Sequence, residues 1–129
     1  MTDKTKIQLE YVLNCSPKVL FSWLSTASGL NEWFADDVKI KGKKFTFIWE
    51  GSERTAEMTL HKENKLVRFE WDDDEGDKET AFFEFRIIVH DITGDLALLI
   101  TDFAEPDEKE DAIYLWDAQI NDLKKLLGS

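Results

Sequence analysis

The side chains in this sequence best equipped for chemistry are aromatic. Phe45, Phe47 and Trp49 fall at every second position, as do Phe69 with Trp71 and Phe83 with Phe85. A period of two places each set on one face of a β-strand. Such a wall can line a cavity for an apolar or flat molecule, because small-molecule sites are mostly apolar with a few placed polar groups. It can equally fill a core, since large rings occupy volume as readily as they border it. The candidate lining is Trp33, Phe34, Phe45, Phe47, Trp49, Met58, Phe69, Trp71, Phe83, Phe85, Ala112, Trp116 and Ile120. Within that set Trp33 and Phe34 belong to a short helix at the cavity mouth, as a gate or, in better keeping with core statistics, as a plug.

The remaining reactive residue types carry less. His61 and His90 are the only histidines, and strand alternation puts both on the face opposite the aromatic wall. That is an exposed position without the geometry catalysis needs. Cys15 is the single cysteine, so no internal disulfide or cysteine metal cluster is possible. It reads as a small buried hydrophobe. The acidic run Asp72, Asp73, Asp74, Glu75 and Asp77 suggests calcium but fails on spacing. An EF-hand needs glycine at its sixth position, and aligning Gly76 there would put Trp71 first. The run reads as a solvated hairpin tip. No nucleophile elbow, phosphate-cradling glycine loop or His-Glu-x-x-His occurs. Glu50, Glu57, Glu70 and Glu84 read as outer-face carboxylates. No catalytic residue, metal ligand or cofactor is expected.

The elements that must position the wall follow from periodicity. Ile7, Leu9, Tyr11 and Leu13 alternate along a half-buried strand at 6–14. Ser16 and Pro17 then form a helix start, cap and first position. Val19, Leu20, Trp23 and Leu24 give that helix its apolar face, and a second short helix follows at about 28–34. From Val38 onward the period is two through six strands, with turns at Gly42, Gly51, Glu63-Asn64-Lys65, Gly76 and Gly94. Even, closely spaced strands of this kind imply an antiparallel meander. The chain then forms one long helix at 107–127, with Ala112, Trp116, Ile120, Leu123 and Leu127 on one stripe. Acids crowd its first turn and Lys124 and Lys125 its last, the charge order a helix dipole favours. The alternation of the last strand leaves open whether Leu96 or Ala97 faces inward.

The chain has 129 residues and a formal net charge of −11. That length predicts a single domain spanning 1–129. The charge repels phosphate backbones and anionic membrane surfaces, which argues against a nucleic-acid partner. The first six residues lack the apolar core of a signal peptide, and no run is long enough to span a bilayer, so a cytoplasmic protein is expected.

The order strand, two short helices, six strands, long helix resembles the helix-grip fold of the START-like superfamily, to which the birch pollen allergen family also belongs. More narrowly, the chain resembles the branch named for the activator of the heat-shock chaperone ATPase. The matching stretches are Ser16-Pro17-Lys18-Val19-Leu20-Phe21-Ser22-Trp23-Leu24, Gly29-Leu30-Asn31-Glu32-Trp33-Phe34, Gly42-Lys43-Lys44-Phe45-Thr46-Phe47-Ile48-Trp49-Glu50-Gly51 and Leu66-Val67-Arg68-Phe69-Glu70-Trp71. The resemblance implies an α+β fold in which a curved seven-stranded antiparallel sheet wraps the C-terminal helix. It also implies a non-enzymatic module that holds a hydrophobic small molecule or lipid between sheet and helix. A chaperone-activator-like interaction module is the alternative, and a cyclase or aromatase type of enzyme a weaker one. The enzyme would need an ionisable group inside the cavity, and none is evident on the inner faces assigned here. Ile48, Phe82, Ile88 and, depending on the phase of the last strand, Leu98 would lie on the sheet's back, a surface for a homodimer or protein partner.

Overall fold

The computed structural model describes residues 4–72 and 81–128. Its elements run β1 (Thr5–Leu13), α1 (Pro17–Ser25), α2 (Ala27–Trp33), β2 (Asp37–Lys41), β3 (Lys44–Trp49), β4 (Ser52–Lys62), β5 (Leu66–Trp71), β6 (Phe82–Val89) and β7 (Leu96–Ala104). A 3-10 turn (Pro106–Glu108) leads into α3 (Lys109–Leu127). The seven strands form one sheet in the order β1-β7-β6-β5-β4-β3-β2, every pair antiparallel. This is the expected helix-grip α+β arrangement. The strands from β2 to β7 follow one another as a meander, while α1 and α2 carry the chain from β1 at one edge to β2 at the other.

Local chemistry accounts for the short helices. The Ser16 hydroxyl accepts from the Val19 N–H at 3.2 Å, with Pro17 behind it in the first turn. Thr26 joins the two helices: its Oγ1 donates to the Ser22 carbonyl at 2.6 Å and accepts from the Gly29 N–H at 3.0 Å. One hydroxyl thus ends α1 and caps α2. Gly29 lets them close, since a Cβ there would sit 2.6 Å from the Ser22 oxygen and 2.7 Å from Trp23 Cα. At the far end of the chain Gly128 takes the left-handed conformation (φ 71°) that terminates α3. The helix itself begins at Lys109, because Pro106, Asp107 and Glu108 form the tighter 3-10 turn before it.

Cross-strand register decides which side chains share a face. Phe45 pairs with Ala56, Ala56 with Trp71, Met58 with Phe69 and Phe69 with Phe83. Val67 pairs with Phe85, and Phe85 with Ile100. These residues form the inner face, against which Trp116, Ile120 and Leu123 of α3 are buried. The phase of β7 is settled by its partners: Leu96, Leu98 and Ile100 face inward with Leu13, Tyr11 and Leu9 of β1. Leu98 is therefore fully buried core, not part of the sheet's back.

Three other expectations are corrected. A register shift between Met58 and Leu60 brings His61 opposite inward-facing Val67, where its ring meets Phe21 edge-on at 5.2 Å, although His61, like His90, is exposed as expected. An extra residue in a strand reverses the alternation beyond it, which sequence periodicity does not reveal. His90 lies beyond the end of β6, in the turn where its N–H bonds the Asp95 carbonyl. Glu84 is on the outer face as expected but is buried, bonded by Arg68 Nε at 3.1 Å and Nη2 at 2.8 Å, with Arg86 Nε 3.6 Å away. The proposed hairpin tip at 73–77 lies outside the described residues; Asp72 pairs with Lys44 at 2.6 Å.

Candidate functional site

The aromatic wall divides into two parts. Phe45, Phe47, Phe69, Phe83 and Phe85 are buried in mutual ring contact, for example Phe69 stacked on Phe83 at 5.0 Å and Phe45 edge-on to Phe69 at 5.1 Å. With Trp33, Ile120 and the half-buried Met58 they form packed core and do not line the groove between the sheet and α3. Phe34 closes this cluster from the α2 side, touching Phe47 at 5.0 Å, Phe83 at 5.3 Å and Trp116 at 5.7 Å. Trp33 and Phe34 are both buried.

The second part borders a groove of about 360 Å³ between the sheet and α3. Phe34, Trp49, Trp71, Ala112 and Trp116 line it, together with Ser52, Asp102, Leu115 and Gln119. It opens where β3, β5 and β7 end, because these three strands run in one direction and deliver Trp49, Trp71 and Asp102 to one end of the sheet. Five of the thirteen candidate residues thus meet at one open site, while the other eight support it from behind.

Polar atoms fix the walls in place. The Phe34 carbonyl accepts from Trp49 Nε1 at 2.8 Å and from Gln119 Nε2 at 2.9 Å, so one oxygen ties α2 to β3 and to α3. Trp116 Nε1 donates to Asp102 Oδ2 at 2.9 Å. A buried indole needs such an acceptor, and the bond orients both the ring and the carboxylate. One residue further along the helix, the Tyr11 hydroxyl donates to Asp117 Oδ1 at 2.5 Å. Burial first, then the hydrogen bond to Asp117 and its charge, hold the Tyr11 phenol well above its usual range. Burial also raises the Cys15 thiol.

Asp102 is the one charged side chain lining the groove among the described residues. Burial pushes its carboxyl above the ordinary carboxylate value, and the bonds from Trp116 and the Phe103 N–H, with the charges of Arg54 and Lys4, work against that rise. Arg54 faces inward opposite Phe47, its guanidinium carbon 3.9 Å from the Trp71 ring centroid. The inner face therefore does carry ionisable groups, contrary to the expectation from sequence. Asp102, Ser52, Leu115 and Gln119 were all missed. The cause in β7 is the apolar run Leu96–Ile100, which has no alternation from which to phase Asp102. The available signal was the demand of the Trp116 indole for an acceptor.

A family model described as a START-like superfamily domain matches residues 1–129. The chain belongs to the START-like superfamily. Among solved structures similar to this START-like chain, a Bacteroides fragilis protein determined by solution NMR is 39% identical, with a TM-score of 0.66 and coverage of 98% of this chain and 93% of that one. The Aha1 dimer from Colwellia psychrerythraea is 19% identical, with a TM-score of 0.76 and 93% of each chain covered. A Mesorhizobium loti protein is also 19% identical at a TM-score of 0.76, covering 96% and 97% of the two chains. At 19% identity the likeness is one of fold. No curated protein matches the chain. The START-like superfamily commonly binds hydrophobic ligands, and some of its members are enzymes. Among the described residues, no helix is long and apolar enough to cross a membrane.

Proposed function

We propose that this START-like chain is a non-enzymatic binding module, a single domain that holds a small hydrophobic molecule between Trp49, Trp71 and Trp116. The observation that carries this reading is the groove itself. The core behind it is packed ring against ring, and all its buried side-chain polar atoms among the described residues are bonded. Yet about 360 Å³ stays open beside three tryptophans, at the small end of the roughly 300–1,000 Å³ typical of ligand sites. Affinity would come from burial of apolar area, at about 25 cal/mol per Å² before the costs of association. Binding is favoured over catalysis because the described lining offers one titratable carboxyl and neither a histidine nor a cysteine to pair with it. The volume suits a compact molecule better than a two-chain lipid.

The back of the sheet supports a homodimer or protein partner less well. Phe82 lies beneath the Arg68 guanidinium at 4.3 Å and edge-on to Phe103 at 5.0 Å, and Ile48 and Ile88 are half-buried. Intramolecular contacts thus already use much of that apolar area.

Native mass spectrometry of protein purified from cells tests the binding reading. A reproducible bound mass is expected, and it should be absent from Ala112→Trp, which fills the groove from α3. A clean apo mass, with no uptake of small aromatic probes by the folded protein, would overturn it.

A further inference from the structure

The groove combines two features that together select a ligand charge. Three indoles and the Phe34 ring form most of its apolar lining, and the one charged group on that lining is the Asp102 carboxylate. Aromatic faces attract cations through their quadrupoles, and more strongly where water is excluded. The fold already demonstrates this at Trp71, whose ring carries the Arg54 guanidinium at 3.9 Å. Asp102 is bonded to Trp116 through Oδ2, so its charge is fixed beside the ring that forms the helix side of the groove. Arg54 does not line the groove; its guanidinium lies on Trp71 and, with Lys4, its charge also acts on Asp102, opposing a bound cation. The chain's net charge of −11 draws cations towards the protein and repels anions.

We infer that the groove selects a small organic cation, a quaternary or protonated amine on a compact apolar body, with the charged head among the indoles beside Asp102. This inference rests on the binding reading above and adds the chemical class of the ligand. The positive head replaces its lost hydration with ring faces and one carboxylate, while the apolar body covers Ala112 and Leu115.

Three probes of one shape but different charge test it: benzyltrimethylammonium, its neutral isostere neopentylbenzene, and the anion phenylmethanesulfonate. Binding is followed by tryptophan fluorescence and by protein-observed NMR. The cation is expected to bind at least ten-fold more tightly than the neutral isostere, and the anion most weakly. Asp102→Asn keeps an acceptor for the Trp116 indole and removes the charge. It should weaken the cation ten-fold or more and neopentylbenzene by much less. Arg54→Gln removes the opposing charge and should tighten the cation several-fold, which keeps the test decisive if Asp102→Asn fails to fold. A neutral probe that binds as tightly as the cation overturns the inference while leaving the binding module intact. So does a preference for the sulfonate, or a cation affinity that neither variant changes. If none of the three probes binds, the binding module itself fails.

Discussion

Asp102 sits where burial opposes its charge, and that has a sign in pH. Its carboxyl is raised above the ordinary value by desolvation, against the pull of Trp116, the Phe103 N–H, Arg54 and Lys4. In the window above the ordinary carboxylate value the folded state therefore holds more protons than the unfolded one, and stability falls as pH rises through it. The contribution is fully present below the unfolded value and is lost as pH passes the raised folded value. Asp102→Asn has no such dependence. Urea denaturation from about pH 3 to about pH 8 should show the stability of wild type relative to the variant declining as pH rises; a flat or rising difference refutes the assignment. A second residue marks the packed part of the wall. Phe69 is fully buried between Phe45, Phe47 and Phe83, so Phe69→Ala should cost about 3–5 kcal/mol by lost transfer energy and the cavity left behind. The denaturation midpoint reads this directly.

At the scale of elements, the groove depends on how closely α1, α2 and α3 are tied together. Gly29 allows α2 to approach the end of α1, and a methyl group there would meet backbone atoms that cannot swing aside. Gly29→Ala should therefore destabilise by about 1–3 kcal/mol through overpacking, despite alanine's better helix propensity. A thermal melt showing no loss would mean that the helices separate without cost. Gln119 tests the other tie. Gln119→Ala removes one of two donors to the Phe34 carbonyl while Trp49 keeps the other, so no buried acceptor is orphaned. A loss of about 1 kcal/mol is expected, and hydrogen exchange at the C-terminal end of α2 should rise as the helix loosens.

For the whole molecule, the acidic balance acts through space. A net charge of −11 creates a field that is screened as salt is added, the Debye length falling from about 30 Å at 0.01 M to about 8 Å at 0.15 M. Benzyltrimethylammonium affinity should fall several-fold across that range, while neopentylbenzene affinity stays level. Equal salt dependence of both probes would show that the field plays no part in selection.

The element order, the inward side of β3, β5 and β6, the Ser16 cap and the stripe on α3 were all legible in the sequence. Each is written in a local period of two or about 3.6 residues and in local capping chemistry. Tertiary structure alone decided the rest. Leu96–Ile100 is apolar at every position, so only pairing with β1 and β6 set its phase and turned Asp102 inward. His61 changed face because of an irregularity in β4 that leaves no mark on the local pattern. The division of one aromatic wall into filled core and open groove depended on where Phe34 and Trp116 came to rest against strands far away in sequence. Periodicity fixes the face a side chain occupies; only packing between distant segments determines whether space remains beside it.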